Sequence, residues 1–200
     1  MKHIAKKLMI IVLSVALTGC FSAVKVKPET KFMLNAVPDV PVKRAHPITL
    51  LVLQPVTDPV YDTTQMAYSL RPYQIAYYEN NRWAETPGEM LQPLMMQTLQ
   101  NTHYFHAVLT SPVSVGRFQY ALSTQILQLK QDYTQRPALL RFTVRAELTR
   151  IATSQVVATK EFVITRPMHQ YSPYGGVYAA NRATSEFLEE LARFCIKHSK

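Results

Sequence analysis

The chain has 200 residues, with 22 Lys and Arg against 13 Asp and Glu and a formal net charge of +9. That length suits one domain. The basic residues are scattered rather than clustered, which argues for solvated surface charge and against a nucleic-acid partner, and the chain lacks a Gly-rich phosphate loop of the Walker pattern, so it should not hydrolyse ATP itself.

Lys2, Lys6 and Lys7 precede the apolar run Leu8 to Leu17. That run is too short to span a bilayer, which takes about 20 apolar residues, and has the length of a signal-peptide core. Leu17-Thr18-Gly19-Cys20 follows and resembles the lipobox of bacterial lipoproteins. The resemblance implies cleavage before Cys20 and covalent lipid on its thiol, with no other cofactor. Phe21 stands where an Asp would favour the inner membrane, so sorting to the outer membrane is implied. Loss of residues 1–19 removes three lysines and no acid, leaving about +6, a charge suited to anionic head groups or an acidic partner. With Cys20 acylated, Cys195 is a lone thiol on an apolar helix face, expected in the core. The organisation read from this is a signal peptide over 1–19, a lipidated tether over 20–30 and one α/β domain over 31–200.

Lys31 to Asn35 reads as a short strand, and Val37 to Pro47, with Pro38, Pro41 and Pro47, as an extended linker. The continuous apolar run Ile48 to Leu53 predicts a strand buried on both faces and central in a sheet. Gln65 to Arg71 alternates, and Tyr73 to Tyr78 reads as extended. Thr86-Pro87-Gly88-Glu89 has the form of a capping box, with Met90, Leu91, Leu94, Met95 and Leu99 at helical spacing after it. Pro93 either delays the start of that helix or kinks it. Phe105 to Leu109 is a short strand. Phe118 to Ile126, Leu140 to Leu148 and Val156 to Ile164 predict an antiparallel meander with one dry and one wet face, turning at Thr153-Ser154-Gln155. Pro167 to Pro173 reads as a loop. The last helix is expected from about Gly176 to His198, with Ala180, Thr184, Phe187, Leu191 and Cys195 on one stripe. The fold class is therefore α+β: one twisted, mixed or mostly antiparallel sheet of about six or seven strands, with two main helices on one face.

No nucleophile elbow or zinc helix occurs in the sequence. His103 with His106, and Cys195 with His198, are isolated pairs, and a metal needs three or four convergent ligands. Glu186, Glu189 and Glu190 read as solvated helix acids, Glu189 pairing with Arg193 at i,i+4. Neither a catalytic set nor a metal site is therefore expected. Tyr61 to Trp83 holds six aromatics with Arg71 and Arg82 interleaved, the residue types of binding hot spots. Tyr68 and one face of Tyr73 and Tyr77 are expected in the core, with Tyr78, Arg82 and Trp83 nearer the surface. In Tyr171 to Val177, Gly175 and Gly176 precede a helix. They read either as a helix N-terminus facing an anionic head group or as a turn that seats the helix on the sheet.

Those two segments carry a family resemblance. Met66 to Tyr78, Asn81-Arg82-Trp83 and Pro87 resemble the central motif of the ABC-type transport auxiliary lipoproteins. Pro173-Tyr174-Gly175-Gly176 with Ala179-Ala180-Asn181 is similar to their C-terminal motif, and the strand pair from Leu139 to Phe162 also fits. The resemblance implies an α/β sandwich like the N-terminal domain of the TolB type. It implies an outer-membrane-anchored periplasmic accessory to a lipid transporter that comprises an ATPase, a permease and an MCE-type (mammalian cell entry) protein. The lipoprotein would contact outer-membrane lipid and the MCE-type protein, with a ring of copies possible. Tyr73, Tyr77, Tyr78, Asn81, Arg82 and Trp83 are carried over as interface candidates, and Tyr174, Gly175, Gly176 and Asn181 as the helix N-terminal motif. The alternatives are a structural envelope lipoprotein that assembles a complex without handling lipid, and an envelope hydrolase.

Overall fold

The computed structural model describes residues 27–41, 44–110 and 118–200; Cys20 and the signal segment lie outside them. In chain order the elements are β1 (Thr30–Phe32), β2 (His46–Val52), β3 (Val56–Thr57), β4 (Gln65–Ser69), β5 (Ala76–Trp83), α1 (Pro87–Asn101), β6 (Phe105–Thr110), β7 (Tyr120–Asp132), β8 (Leu139–Arg150), β9 (Gln155–Pro167) and α2 (Pro173–His198). Among the described residues no helix is long and apolar enough to cross a membrane.

All nine strands form one sheet organised around β7. One edge of β7 pairs antiparallel with β8, from Tyr120↔Arg150 to Asp132↔Leu139, and β8 pairs antiparallel with β9. The other edge is parallel to β2, β3 and β4 in succession, at Leu50↔Tyr120, Val56↔Gln125 and Ser69↔Asp132. β6 lies parallel beyond β2. β5 is antiparallel to β4, and β1 parallel to β5. The expected meander is present, but the other half of the sheet is largely parallel. The chain advances along β7 as three short parallel strands, with turns over 59–64 between β3 and β4 but no hairpin.

β8 shows why the core lies where it does. Leu140, Phe142, Val144, Ala146 and Leu148 are all buried, whereas Arg141, Thr143, Arg145, Glu147 and Thr149 point to the other face. The period of two puts the first set under the helices. On α2 the stripe Ala180, Thr184, Phe187, Leu191 and Cys195 is fully buried. Phe187 meets Phe142 and Phe162 edge-to-face, at centroid distances of 5.6 and 5.2 Å. Burial pushes the Cys195 thiol far above its ordinary value, so it is an inert core group.

α1 begins at the capping box. The Glu89 carboxylate accepts from the Thr86 amide at 3.0 Å and from its hydroxyl at 2.7 Å. Pro93 lies inside the helix on its exposed side, where the carbonyl it leaves unpaired can meet water. β2 departs from expectation: only Leu50, Leu51 and Val52 are buried, and a single strand, β6, separates it from the edge. α2 begins three residues early because Ser172 is its N-cap and Pro173 its first residue, an arrangement that suits proline's missing donor.

Phe187→Ala removes the ring that joins β8, β9 and α2. It should cost about 3–5 kcal/mol in chemical denaturation; a loss under about 1 kcal/mol would show that this junction does not hold the core.

Candidate functional site

The registers bring three loops to one end of the sheet. Ser69 pairs with Asp132, Asp132 with Leu139, and Leu139 with Pro167. The segments 70–75, 133–138 and 168–172 therefore emerge together, beside the first turn of α2. Both sequence motifs converge here.

At their centre is Gln131, 2% exposed. Its Nε2 donates to the Pro173 carbonyl at 3.1 Å. Its Oε1 accepts from the Tyr78 hydroxyl at 2.9 Å and the Tyr133 hydroxyl at 2.8 Å, and the two hydroxyls are 2.7 Å apart. Tyr78 stacks on Tyr68 at 4.4 Å, and Tyr133 meets Tyr171 at 4.4 Å. Burial, reinforced by the bond to Tyr133, pushes the Tyr78 phenol far above its usual range; burial also raises Tyr133. Both phenols therefore stay neutral, with their hydroxyls engaged at Gln131.

The glycines serve the same junction. A Cβ on Gly176 would lie 1.9 Å from Gln131 Cδ, and one on Gly175 would lie 2.2 Å from the Gln170 carbonyl oxygen. Of the two readings of this motif, the packed turn is the one the contacts bear out. The first-turn amides are also engaged: Gly175 N donates to Ser172 Oγ and Gly176 N to the Ser172 carbonyl. Asn181, two turns on, clamps the segment after β1. It accepts from Asn35 N at 2.8 Å and donates to the Met33 carbonyl at 3.1 Å. Tyr174 is exposed, its ring 6.3 Å from Phe32.

The aromatic segment divides differently from expectation. Trp83 is not near the surface: it is 3% exposed and belongs to the same core cluster as Leu34 and Met90. Tyr73 has no face in the core. It is fully exposed at the β4–β5 turn with φ 63°, a conformation costly for a bulky residue. Tyr78 is half-buried and tied to Gln131 rather than free. Tyr77 is also half-buried, donating to the Val60 carbonyl at 2.8 Å. Arg82 pairs with Glu29 at 3.1 Å across the β1 edge, and Asn81 stands opposite Thr30 in that ladder. Of the six interface candidates only Tyr73 is exposed; the others are half-buried or, at Trp83, buried. The sequence reading missed Gln131, a lone polar residue in an alternating strand with nothing local to mark it.

Among the described residues no group of three or more His, Cys, Asp or Glu is placed to hold a metal ion. A cavity of about 650 Å³ lies at the opposite end of the sheet against Phe118, Tyr120 and Ile151. Arg150 at its wall already donates to the Tyr120 hydroxyl and the Lys200 carbonyl.

Gly176→Ala should destabilise the protein by about 2 kcal/mol or more, since overpacking of a filled site costs about 1–3 kcal/mol and Gln131 also loses its buried bonds. Thermal denaturation of Gly176→Ala beside Gly176→Ala/Gln131→Ala tests this: the double variant should recover part of the loss, and no recovery would mean that the glycine is not required by Gln131. Asp132 gives a pH prediction. Burial alone would raise its carboxyl, but hydrogen bonds from Thr134 and Arg141 outweigh that and hold it below its ordinary value. A lowered folded-state pKa stabilises above the unfolded value and is lost as pH falls through the folded one. Asp132→Asn should therefore be less stable than wild type at neutral pH, with the difference shrinking below about pH 4; a gap independent of pH would refute the assignment.

Comparison with known proteins places this geometry. A family model described as the ABC-type transport auxiliary lipoprotein component matches residues 32–192. A crystal structure of a Xanthomonas campestris protein superposes with TM-score 0.75 at 19% identity, covering 85% of this chain and 96% of that one. An uncharacterized protein superposes at 0.66 with 14% identity over 84% and 98%. A hypothetical protein from Chlamydia trachomatis does so at 0.50 with 9% identity over 76% and 98%. At these identities they establish the shared fold alone. No curated protein matches in sequence.

Proposed function

The chain belongs to the ABC-type transport auxiliary lipoprotein family, and from that premise we propose that it is the accessory lipoprotein of an MCE-type lipid transporter, lipid-anchored through Cys20 on the periplasmic face of the outer membrane. In this reading it supplies no chemistry. It holds the transporter's periplasmic component at the membrane that gives or receives lipid, and the ATPase elsewhere in the system drives transport. The family match over most of the domain is the observation that carries the reading.

Two features of the chain support it. The lipobox at Leu17 to Cys20 provides a covalent anchor, and a multi-chain anchor binds stably. Among the described residues, the outer edge of β9 has no partner strand, and Val156 and Val163 on β9 are exposed. A thirteen-residue free edge is a ready template for another chain, either the transporter component or a second copy in a ring.

Affinity purification of the full-length protein from detergent-solubilised membranes, with mass spectrometry of proteins and lipids, tests the proposal. An MCE-type protein with its ATPase and permease should co-purify, and Cys20→Ala should release the protein from the membrane fraction. Recovery of only barrel, secretion or cell-wall proteins would replace this reading with that of a structural envelope lipoprotein.

A further inference from the structure

The end of the sheet that gathers both motifs has an outer surface as well as a core. Leu70, Tyr73 and Ile75 from the β4–β5 turn, Tyr171 from the loop before α2 and Tyr174 from its first turn are all exposed. Arg71, Arg136 and His169 are exposed among them. Neither arginine forms an ion pair among the described residues. The three loops, 70–75, 133–138 and 168–172, contain no Asp or Glu. Asp132, which immediately precedes the loop 133–138, is buried and engaged by Arg141 and Thr134. The end is thus aromatic, aliphatic and cationic, with Tyr73 held outward at a positive φ.

The direction of the chain adds a second, independent observation. β4 runs toward this end, since Ser69 pairs with Asp132 at the end of β7. β5 runs back from it, and β1 is parallel to β5. The chain before Thr30 therefore enters from the side of the tyrosine-bearing loops. α2 agrees: Tyr174 in its first turn is near Phe32, and Asn181 further along holds Met33 and Asn35. Residues 21–26 separate Cys20 from the first described residue, a reach of at most about 25 Å.

We infer that this end lies on the membrane surface, its tyrosines and aliphatic side chains at head-group depth and Arg71 and Arg136 against anionic phosphates. The inference rests on the lipid anchor of the proposed function and adds the face that the anchor turns toward the leaflet. Tyr is the residue type suited to such an interface, with an apolar ring and a polar tip. Basic side chains near an anionic leaflet are attracted to it. A short tether that leaves from the same end keeps that face within reach.

The test uses the full-length lipidated protein in vesicles of phosphatidylethanolamine and phosphatidylglycerol carrying a nickel-chelating lipid. Spin labels are placed by Tyr73→Cys, Tyr171→Cys and, at the far β8–β9 turn, Ala152→Cys; Cys195 is buried and does not compete. Head-group nickel should relax the labels at 73 and 171 at least about threefold more than the label at 152. Adding Arg71→Glu and Arg136→Glu should bring that ratio toward one. Flotation of each variant with the vesicles is measured alongside. A protein that floats while all three labels report equal exposure overturns the orientation alone. A protein that does not float overturns the anchor reading and the orientation together.

Discussion

The amide of Gln131 ties two segments distant in sequence, β5 and the start of α2, to the middle strand of the sheet and to the loop that follows it. Both its carbonyl and its amino group are buried, and each is satisfied by a different element: two phenols on one side, the first carbonyl of α2 on the other. A buried amide stripped of its partners loses about 1–3 kcal/mol per unsatisfied group, so the start of α2 cannot drift from β7 without breaking the tyrosine pair as well. Gly176 follows from this, because the amide fills the space a methyl would need. So does the position of β1. α2, once fixed, presents Asn181 to the backbone of Met33 and Asn35, and β1 completes the ladder beside β5.

This chain of constraints separates what the motif tyrosines do. Tyr78 and Tyr133 are half-buried because their hydroxyls have a buried acceptor and their rings have partners in Tyr68 and Tyr171. Phe at either position would keep the stacking and leave Gln131 short of a donor. Tyr73 has no such reason to be where it is. A β-turn in this position would prefer Gly or Asn at a positive φ, and the inferred membrane-facing surface would give an aromatic ring kept outward there something to meet.

The features legible in the sequence were those written in local pattern. The alternation from Leu140 to Leu148 gave the dry face of β8, and the stripe from Ala180 to Cys195 gave the buried face of α2, because one period decides both. The capping box at Thr86 marks where α1 starts, although Pro93 had left a later start equally open in the sequence. What stayed hidden depends on partners far away in sequence. The parallel run of β2, β3 and β4 along β7 has no local signature, since parallel and antiparallel strands share the same alternation. Trp83 looked like a surface anchor beside Asn81 and Arg82, but the last residue of β5 turns into the core. Ser172-Pro173 looked like loop, although a cap followed by proline is also how a helix opens. For the candidate site, the two motifs were found and their meeting point was not, because Gln131 is marked only by its burial.

The direction of the strands bears on assembly. If the tyrosine-bearing end faces the leaflet, β7, β8 and β9 run along the membrane normal, and thirteen residues of strand at about 3.3 Å each stand about 40 Å tall. Hydrogen bonding across a sheet is perpendicular to its strands. A partner added at the free edge of β9 would therefore extend the assembly within the plane of the membrane, never away from it. Heterologous contacts of that kind either close into rings or continue as filaments, and the twist of the sheet favours a curved path. Each added copy also brings its own tether and its own tyrosine-bearing end to the same leaflet, so the anchor restricts copies to a common height and polarity. Under that restriction a closed ring with its axis along the membrane normal is the assembly in which every subunit meets both its neighbours and the lipid in the same way.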